Sequence, residues 1–498
     1  MNVEPYDDLI QKYAEIVRLG QIGSILLWDQ NTYMPPGAAE MRGEQQSLVS
    51  GIAHKRLTSK KMGRLLDRLK REELTPEKTA VVREIERKHK RASSIPRSLI
   101  QALSRLEPLS TGAWIKARKK EDFSFFEKEF KEVIELKKKV AEHVGYEDTP
   151  YDALLDEYEP YMKSRKLTDI FLSLGEKLKP LVTRLTEVCG DLGDGKMRGK
   201  YPIDSQREYL QYLLIEMGYD METGRIDISE HPFTAGNHDD VRITLRYDEK
   251  DLRTALFSAI HEGGHALYEQ GFKRKNYFTP LAEYVSLGIH ESQSRMYENI
   301  IGRSRSFWEW QYPILKERFP SLKKMSLDEF HRLINHIIQS PIRVEADEVT
   351  YSLHIVIRFM IEKDLMEDKL SVDEVPQVWN ELYGKYLDLE PESESLGCLQ
   401  DIHWSMGAIG YFPTYTLGNL YSAQFFKQAQ KDIDDLESSI ARGDLKTILN
   451  WLRENIHMHG KFYSAPNLVE KVTGEPLSED HFIDYLRKKY SSIYDISL

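Results

Sequence analysis

Apolar residues recur at helical spacing along most of this chain. Near the start, Ile10, Tyr13, Ile16 and Val17 form one stripe, and between Lys116 and Val144 the residues Phe123, Phe126, Phe130, Val133, Ile134 and Leu136 stand among lysines and glutamates. Stripes of this kind mark amphipathic helices whose apolar face covers a core. One segment breaks the period. Asp240-Val-Arg-Ile-Thr-Leu245 alternates strictly, with Asp240, Arg242 and Thr244 on one face and Val241, Ile243 and Leu245 on the other, and so predicts a strand. The pattern predicts a mainly α fold with a small β element.

Helical spacing returns directly after the strand. Asp251 to Ile260 is rich in helix formers, Leu252, Leu256 and Ile260 share a face, and Gly271 is the expected end. His261-Glu262-Gly263-Gly264-His265 lies on this helix. Two imidazoles at i and i+4 rise from one face a single turn apart, where both can reach one metal ion while Glu262 stands beside the ion's open position. That is the ligand geometry of a zinc hydrolase. Gly263 and Gly264 each weaken an exposed helix by ~1 kcal/mol relative to alanine, so they predict a close approach by another backbone, a substrate or a packed helix.

The third ligand decides the class. A metzincin would carry glycine and histidine where this chain has Tyr268 and Gly271, which excludes it. The other common solution takes a glutamate from a second helix. Glu269 lies two turns beyond His261, too far along the axis. The helical stretch expected from Leu281 to Ile300 offers Glu283, Glu291 and Glu298, and spacing alone does not choose among them. Glu291 ranks first because it sits in the polar cluster His290-Glu-Ser-Gln293 between apolar flanks, and buried polar groups need partners.

Other segments carry chemistry more ambiguously. The Asp240–Leu245 strand is either half-buried with one wet face or an edge to which an extended peptide adds. His231, before Pro232, is a loop histidine. Ser340-Pro341 is an N-cap and N1 pairing that could start a helix, with Arg343 in its first turn. Arg343 either pairs locally with Glu345, Asp347 and Glu348 or aims its guanidinium at a substrate carboxylate. Asp401 and His403, with Asp347, could orient the metal-binding imidazoles or form a polar knot in the core. Tyr411 and Tyr415 are mainly packing candidates, although a tyrosine hydroxyl can serve a developing oxyanion.

The blocks His231-Pro-Phe233, Asp240-Val-Arg242-Ile-Thr244, His261 to His265, His290 to Gln293, Ile342 to Glu348 and Gly397 to Trp404 resemble, in order, the signature blocks of the carboxypeptidase Taq family of metallocarboxypeptidases. The opening stretch Leu27 to Asn31 through Met34-Pro-Pro36 is similar too, so the resemblance covers nearly the whole chain. It implies an elongated, mainly helical homodimer with a deep central groove and a small β-sheet beside the motif helix. It also implies a thermostable enzyme that releases single C-terminal residues with broad specificity and acts poorly on C-terminal proline. One zinc or cobalt ion per subunit would be held by His261, His265 and Glu291, with Glu262 as general base and then acid to a metal-bound water. Arg343 would bind the substrate carboxylate, helped by His231, Pro232, Phe233, Asp240, Arg242, Thr244, Tyr411 and Tyr415. Asp347, Glu348, Gln400, Asp401 and His403 would orient the metal-binding side chains.

Composition narrows the alternatives. The chain of 498 residues shows no linker, repeat or low-complexity seam and is expected to form one domain over 1–498. A net charge of -11 without a basic stripe argues against nucleic acid. Cys189 and Cys398 are too few for a disulfide framework. The opening Met1 to Asp8 has no leader pattern, and no apolar run is long enough to span a bilayer. A cytoplasmic protein acting on peptides with a free C-terminus, without membrane partners, is the expectation. Three competing readings remain: a zinc oligopeptidase or dipeptidyl carboxypeptidase, a helical scaffold with a structural ion, and a groove that holds peptides without cutting them.

Overall fold

The computed structural model describes residues 4–190 and 194–498; residues 1–3, where the opening read for a leader begins, lie outside the described residues. Helix covers 70% of the structure and strand 4%, so the mainly helical expectation holds. The stripe at Ile10, Tyr13, Ile16 and Val17 lies on helix Pro5–Thr32 and packs on an apolar cluster of Leu9, Met62, Leu66, Val81 and Ile85. Helix Ser124–Val144 buries Phe126, Phe130, Val133 and Ile134 in a larger cluster that extends from Leu99 to Ile493 and includes the motif helix. Among the described residues no helix is long and apolar enough to cross a membrane.

The predicted strand is the centre of a three-stranded sheet. β1 (Gly224–Ile228), β2 (Phe233–Asn237) and β3 (Asp240–Leu245) run in the order β1-β3-β2, β3 being parallel to β1 and antiparallel to β2. Val241, Ile243 and Leu245 are buried as the alternation requires. Thr244, expected on the wet face, is buried as well, because its hydroxyl receives Ser229 Oγ at 2.7 Å and the Phe233 amide at 3.0 Å. Both edges of β3 are paired, so no peptide can add to Asp240–Leu245. An outer edge remains on β2. The Gly236 amide points away from β3, to Ser24 Oγ at 3.0 Å, so the backbone of Thr234, two residues earlier, faces the same way.

The motif helix, Leu252–Glu269, starts where Asp251 accepts the Arg253 amide and ends two residues before the expected Gly271, with Gln270 as its C-cap. The stretch from Leu281 to Ile300 is not one helix. It opens with a short turn, Pro280–Ala282, runs extended, and becomes α-helical at Leu287–Arg295 before widening to a π-helical turn at Met296–Ile301. Tertiary contacts set that start: buried Glu159 accepts Ser286 Oγ at 2.9 Å and the Gly288 amide at 3.0 Å, and Tyr268 holds the Val285 amide. Ser340-Pro341 likewise starts no α-helix. Arg343–Glu345 is a single 3-10 turn, and the next helix is Tyr351–Met366.

Leu287–Arg295 is pressed between two helices, and each presents a glycine to it. A Cβ on Gly264 of the motif helix would stand 2.6 Å from the Gln293 carbonyl oxygen and 2.7 Å from Ser294 Cα. A Cβ on Gly418, in helix Pro413–Asp432, would stand 2.7 Å from Glu291 Cβ. Gly263 faces only the flexible ends of Leu214 and Met217. The motif glycines thus serve a close backbone approach at Gly264 and helix packing at Gly263.

These environments predict opposite outcomes for two neighbouring substitutions. Gly264→Ala meets backbone that cannot move independently and should destabilise the protein by roughly 1–3 kcal/mol. Gly263→Ala meets side-chain ends and gains helix propensity of ~1 kcal/mol, so it should be near neutral. Thermal melts of both variants check this; equal melting temperatures would overturn it.

Candidate metal centre and substrate groove

His261 and His265 project from the motif helix toward Glu291 on the helix packed against it. Their Nε2 atoms lie 3.7 and 3.3 Å from Glu291 Oε2, and one donor atom from each of the three residues falls within 4.8 Å of the others. Two imidazole nitrogens and a carboxylate at this separation fit one divalent ion with a further position open. The other glutamates are otherwise engaged. Glu283 pairs with Lys88 Nζ at 2.6 Å and accepts the Tyr13 hydroxyl, Glu298 faces His261 Nδ1 at 2.8 Å, and Glu269 faces His290 Nε2 at 2.9 Å.

These bonds fix the tautomers. With Nε2 left free to hold an ion, His261 would donate its Nδ1–H to Glu298. His265 donates its Nδ1–H to His290 Nδ1 at 2.6 Å, and His290 donates from Nε2 to Glu269. Arg295 backs Glu291: Nε donates to Glu291 Oε1 at 2.7 Å, Nη1 lies 3.4 Å from Glu298, and the guanidinium covers the Tyr351 ring. Burial alone would lower the His261 pKa, but Glu291 and Glu298 outweigh it and raise it to about 9. Burial and His290 push His265 down to about 3. Glu291 lies well below the usual carboxylate range, because Arg295 and His261 overcome its burial.

Glu262 stands beside the triad without joining it. Thr234 Oγ1 donates to Glu262 Oε2 at 2.7 Å, tying the carboxylate to β2. Burial raises the Glu262 pKa, against the pull of His261 and Thr234. A buried carboxylate with a raised pKa suits proton transfer near neutral pH.

The site lies in a groove of about 1150 Å³, also lined by His231, Pro232, Phe233, Arg343, His403, Tyr411 and Tyr415. Arg343 does not pair with Glu345, Asp347 or Glu348. Its Nε and Nη2 donate to Asp401 Oδ1 at 3.0 and 2.7 Å, its Nη1 to the Tyr351 hydroxyl at 2.9 Å, and its amide to Gln400 Oε1 at 2.8 Å. Asp401 is also held by Arg358 at 2.7 Å. A guanidinium at the groove wall is thereby fixed in place.

Several residues expected at the site lie elsewhere. Asp240 and Arg242 pair with each other at 2.7 and 2.9 Å, with Arg242 over the Trp28 ring, and border a separate cavity of about 260 Å³. Thr244 is sealed inside the sheet. None of the five residues expected to orient the imidazoles touches one, because Glu298 and His290 already occupy both Nδ1 positions. Gln400 and Asp401 hold Arg343, Asp347 accepts the Val349 and Thr350 amides, and Glu348 accepts the Tyr485 and Tyr490 hydroxyls at 2.9 Å. His403 faces the Tyr415 hydroxyl at 3.3 Å. The sequence reading missed Thr234 and Arg295 and the supporting roles of His290, Glu269 and Glu298. Arg295 alone had a signal, its i+4 spacing from Glu291.

Comparison with known proteins follows the same lines. The sequence profile of the carboxypeptidase Taq (M32) metallopeptidases matches residues 8–490. Thermostable carboxypeptidase 1 of Thermus thermophilus is 41% identical, covering 98% of this chain and 99% of that protein. Carboxypeptidase 1 of Bacillus subtilis is 39% identical, over 97% and 96%. The crystal structure of the M32 carboxypeptidase from Deinococcus radiodurans R1 superposes with a TM-score of 0.96 at 35% identity, over 99% of this chain and 100% of that one.

Two outcomes follow from the geometry. An ion needs neutral imidazole, and His261 holds its proton up to about pH 9, so metal uptake at pH 7 should expel about one proton and tighten as pH rises toward 9. Calorimetry in buffers of different ionisation enthalpy reads this, and uptake without proton release would overturn it. Glu298→Gln should weaken metal affinity by the ~10- to 100-fold typical of a lost supporting partner, whereas Asp347→Asn should not.

Proposed function

We propose, for a chain that belongs to the carboxypeptidase Taq (M32) metallopeptidase family, that it removes single residues from peptide C-termini with broad specificity and poor action on C-terminal proline. The observation that carries the reading is a groove holding both elements such a reaction needs. One is the donor triad with Glu262 tied at its side by Thr234; the other is a fixed guanidinium, Arg343. His261, His265 and Glu291 would hold one zinc or cobalt ion. When bound, that ion supplies Lewis acidity toward water and toward the scissile carbonyl.

The chain's own residues do the rest. Glu262, aimed by the Thr234 hydroxyl, accepts the proton of the attacking water and passes it to the departing amine. The outward backbone of Thr234 on β2 is available to pair with an extended peptide, which would hold the peptide beside Glu262 without reading its side chains. Arg343 binds the free carboxylate with the N–H groups that Asp401 and Tyr351 leave over, and its fixed position lowers the ordering cost of binding. Tyr415 is a suitable oxyanion donor, since burial and Tyr411 raise its phenol far above the ordinary range and keep it protonated.

The reading extends to the molecule as a whole. Residues 1–498 act as one catalytic domain in a thermostable homodimer. Exposed Ile22, Ile25, Leu48 and Ile52 on the first two long helices supply apolar surface for such an association. Two buried free cysteines suit a reducing cytoplasm.

Three measurements test it. Glu262→Gln should retain the ion while turnover falls by ~10² to 10⁴. Glu291→Ala should lose the ion, and full metal occupancy in that variant would displace the third ligand. Amidating the peptide C-terminus should lower kcat/KM by roughly 30-fold or more, and Arg343→Ala should narrow that gap by damaging only the free-acid substrate. Equal cutting of acid and amide, or a dipeptide as first product, would favour an oligopeptidase instead.

A further inference from the structure

A second cavity of about 680 Å³ adjoins the groove, sharing Leu287 with it. The outer edge of β2 leads from one to the other: Phe233 and Thr234 line the groove, and Gly236 and Asn237 line the second chamber. A peptide whose carboxylate lies at Arg343, on the groove side, would therefore run antiparallel to β2. Its residues upstream of the scissile bond would leave the edge where Ser24 takes the Gly236 amide and enter this chamber.

The chamber holds an under-neutralised cation. Lys88 and Lys461 share one carboxylate, Glu283. Lys88 is the close partner at 2.6 Å and also reaches the Tyr13 hydroxyl. Lys461 stands 3.4 Å from Glu283 with its side chain only 10% exposed, and its other contact is with the face of Tyr284, 5.5 Å from the ring centre. An ammonium has three donors, and among the described residues this one has no hydrogen bond at ordinary distance. Burial and Lys88 push it down to about 8, against the pull of Glu283. Its position is not accidental flexibility. Gly460, at φ +49°, lets the chain pass against the Leu281 backbone, where any side chain would collide, and the Lys461 carbonyl accepts Arg83 Nη2 at 2.8 Å.

We propose that this chamber binds the peptide residues on the N-terminal side of the scissile bond, and that Lys461 selects there for an acidic side chain. The inference rests on the carboxypeptidase reading and adds an upstream preference to it. A carboxylate entering the chamber supplies the missing partner, which lysine or glutamine in the same place cannot.

The test uses metal-loaded protein and hexapeptides with a free C-terminus, in which one glutamate is moved through the upstream positions and compared with glutamine and lysine. At one position kcat/KM should favour glutamate over glutamine by about 10-fold, as expected for a charge-assisted bond, with lysine the poorest. In Lys461→Met the glutamate-to-glutamine ratio should fall to about 1, and Lys461→Arg should restore it. Identical rates for all three peptides in the parent protein, or a ratio that survives in Lys461→Met, would overturn the inference while leaving the carboxypeptidase reading intact. Should no peptide be cut from its free end, the proposed function fails instead. Fluorescence anisotropy of the same labelled peptides on metal-loaded Glu262→Gln then still decides the upstream preference.

Discussion

Everything at the candidate site depends on how closely Leu287–Arg295 approaches the motif helix. The two imidazoles come from one helix and the third donor from the other, so their separation is set by backbone packing. Gly264 against Gln293 and Ser294, and Gly418 against Glu291, remove the side chains that would hold the helices apart. The result is a donor triad of fixed dimensions, not one assembled by flexible side chains.

Close packing creates an electrostatic problem. Glu262 and Glu291 are buried near the half-buried Glu298, and unpaired buried carboxylates are costly. Arg295 answers part of this by donating to Glu291 and reaching toward Glu298, and Arg303 lies 3.5 Å from Glu298. The remaining compensation comes from His261, whose raised pKa records the excess of negative charge that a divalent ion would neutralise. At Glu262 burial outweighs the pull of His261 and keeps the pKa raised, with the Thr234 hydroxyl to aim the carboxylate. The two imidazoles are supported differently, His261 by a carboxylate and His265 by a second histidine that leads to Glu269, so Glu269 backs His265 without touching it.

The same logic of fixed partners governs the groove wall. Asp401 bridges Arg343 and Arg358, and Gln400 holds the Arg343 amide, so residues that looked like support for the metal are support for the guanidinium. Arg242, expected in the groove from the family resemblance, is drawn away by Asp240 and Trp28. An arginine is placed by the acids and rings around it, and those come from distant parts of the chain.

The sequence by itself determined the elements and the local chemistry. The 3.6-residue stripes gave the helices, strict alternation gave β3, and the i, i+4 spacing of His261 and His265 put both imidazoles on one face, because each of these depends only on neighbours along the chain. The choice of Glu291 rested on local polarity, and the packing places its carboxylate near both imidazoles. Tertiary structure alone decided the rest. It made β3 central, delayed the helix that carries Glu291 to Leu287 through Glu159, turned Glu298 and His290 onto the imidazole Nδ1 atoms, and brought Thr234 to Glu262. These pairings join residues far apart in sequence, and no periodicity encodes which buried donor will meet which acceptor when the helices close.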